Sequence, residues 1–256
     1  MSRFSRDRYR LDIDGQTLVL SSRRPRDAAW RPVAAGEHPG IPALEGFASA
    51  LADFRQTHLP RGARWTAVIA DELARFFILS APDGIGRLRD LQQVAALRCA
   101  SLFGDAADDW ICAGDWRAQG PFLVCALPTP LVRSLTTSAT PQRTRLEGIT
   151  PRFVETWNQH PPRMRQPLAW VMHASARYVV LAATAGQTPV AVSQSASPAW
   201  ETLDALRTML RRASLQWGLA LPNTLYAEGE SMRRWHGHSI DSCRILHLSM
   251  PGETPA

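Results

Sequence analysis

His236 and His238 would present two imidazoles on one side of an extended segment, with Cys243 and His247 close by in sequence. A metal needs three or four ligands in fixed geometry, and nothing spaces these accordingly, so they read as solvated loop histidines. Gly229-Glu230-Ser231 opens like a nucleophile elbow, yet its fifth position is Arg233 rather than a small residue, and a helix entrance is the better reading. Gly84-Ile85-Gly86 starts a dinucleotide fingerprint, but position 89 is Arg and Pro82 marks a turn. A Walker A loop requires lysine, and all 29 basic residues here are arginine. Two-metal nucleases need converging carboxylates. The second half offers Glu201, Asp204, Glu228, Glu230 and Asp241, none of them on its first expected strand, which ends instead at His173.

The elements that must position these residues follow from periodicity. Tyr9 to Ile13 and Thr17 to Ser21 flank Asp14-Gly15-Gln16, a hairpin signal in which the glycine is free to take a positive φ. Ser22 to Pro42, rich in Arg, Pro and Gly, reads as a loop. Leu44, Phe47, Leu51 and Phe54 recur at spacings of three and four and predict a helix over 43–58. Strands follow at 64–70 and 74–79, a hairpin joined at Asp71-Glu72. A helix over 88–103 has Leu88, Leu91, Ala95, Cys99 and Leu102 on one face and Gly104 to end it, and 109–116 and 121–127 form another strand pair. Thr129-Pro130 and Thr150-Pro151 each resemble an N-cap followed by proline in the first helical turn, opening helices that end near 139 and 158, with a strand over 143–149 between them.

His160 to Gln166, with Pro161 and Pro162, is the best linker. After it come strands at 168–173, 177–183 and 189–193 and a helix capped by Ser197-Pro198 and running to Trp217. Trp200, Leu203, Leu206, Leu210, Ala213 and Trp217 make its core stripe, and Gly218 closes it. Strands at 223–227 and 244–249 end the pattern, and 251–256 is a tail.

The 256 residues suffice for one large or two ordinary domains, and the four cysteines form no C-x-x-C pair, so buried reduced thiols are expected. No apolar run approaches the roughly 20 residues that cross a bilayer, and the arginine-rich start lacks the apolar core of a secretory signal. A soluble, cytoplasmic chain is expected. A net charge of +6 suits nucleic acid, an anionic membrane face or an acidic partner. From Arg3 to Arg31 eight arginines face four acids, but aromatic residues do not interleave as they do in single-strand binders. A solvated surface is the plain expectation there, and attraction to an anionic inner leaflet the functional one.

Three strands, a helix, a strand, a short helix and a strand after residue 167 give the order of a ribonuclease H-like unit, and an actin-like fold joins two of them. Along nearly its whole length the sequence resembles the PilM-type actin-like proteins of type IV pilus systems and the cytoplasmic domain of the type II secretion protein GspL. Order and spacing carry the resemblance, best over Ala67 to Trp116, with Arg98 near the end of the helix and Asp109-Trp110 starting a strand. Phe122 to Leu127, the helix after Pro130, and the strand leading to Thr150-Pro151-Arg152-Phe153 continue it. The implied fold is mixed α/β and actin-like: a first lobe over 1–159 with an inserted subdomain at about 43–127, a linker at 160–166 and a second ribonuclease H-like lobe over 167–250.

In such proteins ATP lies between the halves, held by a D-x-G turn in the first hairpin of each and by a glycine pair after a late strand. Carried over, the first turn falls on Asp12-Ile13-Asp14-Gly15, the second on His173-Ala174-Ser175 and the third on Ala227-Glu228-Gly229-Glu230. The second lacks both acid and glycine, and the third keeps one glycine. The nucleotide-binding remnant is therefore Asp14, Gly15 and Gly229, with no catalytic residue and no metal ligand. Phosphoryl transfer needs a metal, placed carboxylates and charge-offsetting donors. The resemblance thus implies a non-catalytic cytoplasmic adaptor, peripheral at the inner membrane, with no cofactor. GspL carries its own membrane span after this domain and none follows here, so the implied partner is a separate bitopic platform protein, gripped by its N-terminal tail, beside the assembly ATPase. One alternative keeps ATP binding and slow hydrolysis; another is a nucleic-acid-binding protein.

Overall fold

A computed structural model of the chain describes residues 7–27, 29–40, 44–85, 87–117, 119–137, 143–160, 167–186, 188–196 and 201–248. In chain order the elements are β1 (Arg8–Ile13), β2 (Thr17–Arg23), β3 (Arg31–Glu37), α1 (Leu44–His58), β4 (Arg64–Ile69), β5 (Arg75–Ser80), α2 (Leu88–Phe103), β6 (Trp110–Gly114), β7 (Pro121–Pro128), α3 (Thr129–Thr136), β8 (Arg145–Pro151), α4 (Arg152–Gln159), β9 (Ala169–Ala174), β10 (Val179–Ala185), β11 (Thr188–Ser195), α5 (Leu203–Trp217), β12 (Thr224–Glu228), β13 (Ser239–Ile240) and β14 (Cys243–His247). In space the described residues group into two units that are not the chain's linear halves: those up to 74 with 127–152, and 75–126 with 153–248.

The first unit is built on a five-stranded sheet, β3-β2-β1-β4-β8, in which β1 pairs antiparallel with β2 and parallel with β4. Counted within the unit this is the order 3-2-1-4-5. Alternation along β1 sends Leu11 and Ile13 to the face that also carries Leu18, Leu20, Trp65, Ala67 and Ile69, all buried. Phe47, Leu51 and Phe54 of α1 and Leu131 and Leu135 of α3 are buried as well, as the helical spacing requires. Arg55 of α1 lies over the Trp65 ring at 4.8 Å, a cation–π contact inside the core.

The stretch read as a loop over 22–42 contains β3. It escapes the alternation test because it is an edge strand: Arg31, Pro32 and Val33 are exposed, and a proline is tolerated where no ladder partner needs its missing N–H. The expected hairpin at Asp71-Glu72 is also corrected. A 3₁₀ turn over Asp71–Leu73 separates β4 from β5, and the two strands enter different sheets. Thr150-Pro151 closes β8 rather than capping a helix, and α4 begins at Arg152. Thr129 is the first residue of α3, whose preceding residue Pro128 makes no side-chain cap.

The second unit holds a six-stranded sheet, β11-β10-β9-β12-β14-β13, again 3-2-1-4-5 with β13 appended, and a three-stranded sheet, β5-β7-β6. Every residue of β9 is buried. Trp170, Met172 and Ala174 pack with Leu206, Leu210 and Ala213 of α5, while Trp217 contributes its ring at 4.9 Å from Trp170. Thr202, accepting from the Ala205 N–H, caps α5, and Gly218 ends it in the left-handed region. Ser197, Pro198 and Trp200, expected at the start of this helix, lie outside the described residues, as do 161–166 of the expected linker. In the small sheet Phe77, Phe122 and Val124 pack on Ala95 and Cys99 of α2. The expected face of α2 is narrower than read: Leu91 is 2% exposed, whereas Leu88 and Leu102 are 53% and 44% exposed.

Candidate functional site

The β1–β2 turn is held by Asp14. Its Oδ1 accepts the Gln16 and Thr17 N–H groups at 2.8 and 2.6 Å, and its Oδ2 accepts the Thr17 hydroxyl at 2.7 Å. Burial pushes the carboxyl up, but the hydrogen bonds from Gln16 and Thr17, with His38 nearby, outweigh it and hold Asp14 below its ordinary value. His38 is itself buried and accepts the Gly40 N–H on Nδ1 at 3.2 Å, which leaves Nε2 to donate to the Asp14 carbonyl at 3.1 Å. Every polar group of Asp14 described here is thus spent on its own turn.

Gly15 was read as a positive-φ position. It is not among the glycines with positive φ; a Cβ there would stand 2.8 Å from Glu72 Oε1, the movable end of that side chain, and would push it off the turn. The Gly15 N–H donates to that same oxygen at 3.0 Å, so a carboxylate from the turn after β4 sits on the turn's outward donor. Asp12 is clamped in turn. Arg10, 5% exposed, donates from Nε to both its oxygens at 3.0 Å, and Arg152 at the start of α4 pairs with Oδ1. Two guanidinium groups on one carboxylate leave it strongly committed.

In the second unit the β9–β10 turn is capped by Ser175. Its Oγ accepts the Tyr178 N–H at 3.1 Å and the Arg177 N–H at 3.4 Å, and the Ser175 N–H donates to the Tyr178 carbonyl at 2.9 Å. His173, one strand position before Ala174, is buried and pairs in register with Glu228 of β12. Glu228 is also buried and accepts from the Thr156 hydroxyl of α4.

Gly229 follows with φ +119° and ψ 147°. A Cβ there would lie 1.9 Å from the Ala174 carbonyl oxygen, so this glycine exists to let β12 leave the sheet against the end of β9. Its carbonyl accepts the Met232 N–H and lies 3.2 Å from His247 Nε2, while the His247 N–H donates to His236 Nδ1. Gly229 therefore opens a 3₁₀ turn, as the entrance reading required. His236 and His238 are exposed, and among the described residues no group of three or more His, Cys, Asp or Glu is placed to hold a metal.

Asp14 and Gly15 thus share one turn, while Gly229 stands in the second unit beside Ala174. Glu72, Arg10 and Arg152 complete the first turn, and sequence reasoning assigned none of them a role in it; Ser175 and Glu228 stand at positions that the carried-over turns named, whereas Thr156, which donates to Glu228, was not singled out. The thiols play no part: none of the four is in a disulfide, and burial, with Cys99 and Cys125 beside it, pushes Cys112 up to about 12.

Two sheets of order 3-2-1-4-5, each opening on a hairpin, define the actin-like fold. The sequence matches no family model and no curated protein. Among solved structures it is similar to that of the PilM–PilN type IV pilus biogenesis complex, at 13% identity and TM-score 0.63, covering 93% of this chain and 87% of that one. It is also similar to a Bacteroides thetaiotaomicron protein with an actin-like ATPase fold, at 9% identity and TM-score 0.61, covering 96% and 94%. A third likeness is to the cytoplasmic domain of EpsL, an inner membrane component of the Vibrio cholerae type II secretion system, at 11% identity and TM-score 0.52, covering 86% and 81%. The fold expected from the spacing of the elements is the one these proteins share.

Proposed function

We propose that this chain is a non-catalytic adaptor of a type IV pilus or type II secretion-like inner-membrane platform, binding the N-terminal cytoplasmic tail of a bitopic membrane protein. Its fold is that of PilM–PilN and of the EpsL cytoplasmic domain, two parts of such machines. Among the described residues no helix is long and apolar enough to cross a membrane. The observation that carries the non-catalytic half is local. In both opening hairpins the backbone donators of an anion cradle are bonded to this chain's own oxygens, Asp14 and Glu72 in one and Ser175 in the other.

A phosphate entering either turn would have to displace those oxygens, and in the first turn it would also meet Asp14 and Glu72 as like charges. Asp12, the remaining acid of the first turn, is held by Arg10 and Arg152 and is a poor candidate for metal. The tail-binding half is tested by capture: immobilised chain should retain a synthetic peptide of the cytoplasmic tail of a bitopic platform protein encoded beside it. Failure to retain such tails would overturn the adaptor reading.

A further inference from the structure

Four arginines stand in register across four adjacent strands of the first sheet. Arg8 of β1 pairs with Arg23 of β2 on one side and with Arg64 of β4 on the other, and Arg64 pairs with Arg145 of β8. Residues paired in register project from the same face, so the guanidinium groups form one row across three strand spacings, about 14 Å long. Arg8, Arg64 and Arg145 are exposed, and Arg23 is half-buried with its guanidinium 4.7 Å over the Trp30 ring. Among the described residues one carboxylate answers this row: a bulge in the β4–β8 ladder leaves Glu147 without a cross-strand partner, and it bridges to Arg64. Among the described residues Arg8, Arg23 and Arg145 have no carboxylate partner.

Like charges directly opposite each other weaken a sheet. Three successive arginine–arginine pairs break that rule on a face where threonine or glutamate would satisfy it. A local rule broken three times with one carboxylate and one indole to offset it marks a surface shaped by a partner. Guanidinium groups bind phosphate in bidentate fashion and stay charged at every physiological pH. Trp30 stands beside the row with Arg23 and, at 5.9 Å, Arg10 over its ring, so its π system is engaged by cations rather than presented to a nucleobase. An indole flanked by cations is also the side chain that settles at a membrane–water boundary.

We propose that this arginine row is a docking surface for the anionic phospholipid headgroups of a bilayer, which seats the first unit's sheet end on the membrane. The proposal rests on the platform reading above and adds a second point of attachment to it, independent of the partner's tail. Each arginine near an anionic surface contributes enough to change affinity about fivefold, so removing three should cost about two orders of magnitude.

The test is co-sedimentation of the full chain with phosphatidylcholine vesicles and with equimolar phosphatidylcholine–phosphatidylglycerol vesicles. Binding to the anionic vesicles alone, weakening as salt rises, is expected. The triple variant Arg8→Thr, Arg23→Thr, Arg145→Thr should bind about 100-fold more weakly, with a thermal midpoint equal to or above the parent's because the like-charge pairs are gone. Glu147→Gln should strengthen vesicle binding, which provides a charge-gaining arm if the triple variant folds poorly. Equal binding by parent and triple variant would overturn the proposal. So would a parent that ignores anionic vesicles yet binds single-stranded oligonucleotide or an acidic peptide through the same arginines. A triple variant that captures the tail peptide normally isolates this proposal from the adaptor reading. Vesicle binding by a parent that captures no tail would leave this surface standing and remove the adaptor.

Discussion

Asp14 does for its turn what a bound ligand would do, and its chemistry gives a pH signature. Its folded-state carboxyl lies below the ordinary value, near 4 for a free aspartate, so its contribution to stability is complete above about pH 4. That contribution is lost as pH falls further, through the folded-state value. Asp14→Asn should flatten the acid limb of a denaturation series run between neutral pH and about pH 3; an unchanged limb would show that the turn does not depend on the charge. Gly229 is the sharper case. Gly229→Ala places a methyl group 1.9 Å from the Ala174 oxygen at φ +119°, and a loss of more than about 3 kcal/mol in chemical denaturation is expected. A loss below about 1 kcal/mol would mean the two strand ends separate easily. Glycine was visible in the sequence at both 15 and 229, but the reason for it was not. In each case the neighbour a Cβ would meet comes from a distant segment, the movable Glu72 carboxylate at Gly15 and the fixed Ala174 backbone at Gly229, and no local pattern announces it.

Among the elements, those with strong periodicity were legible and those defined by position were not. The α1, α2 and α5 stripes and the hairpins β1–β2 and β9–β10 follow from spacing alone, because each buries one side on a sheet. The edge strand β3 was not, since an exposed strand has no reason to alternate. The Thr150-Pro151 pair misleads because a proline tolerated in a first helical turn is equally tolerated at the last residue of a strand. The register of α2 can be checked within one residue type. Leu91→Ala should cost about 3 kcal/mol, while Leu88→Ala should cost less than about 0.5 kcal/mol, both read from denaturation midpoints. Comparable losses at the two positions would place the buried face of the helix elsewhere.

At the scale of the whole molecule, two sheets of one topology repeat in an actin-like fold, and a fold by itself does not fix what its site holds. On the adaptor reading proposed above, what separates this chain from a nucleotide-binding one is a handful of oxygens in two turns. Calorimetric titration of the full chain with ATP and magnesium measures this directly. The occupied turns lead us to expect no half-saturation below about 100 μM, a binding free energy no stronger than about 5.5 kcal/mol. Saturable binding tighter than that, with magnesium dependence and loss of affinity in Gly15→Ala, would contradict the self-filled turns and return the chain to the nucleotide-binding class.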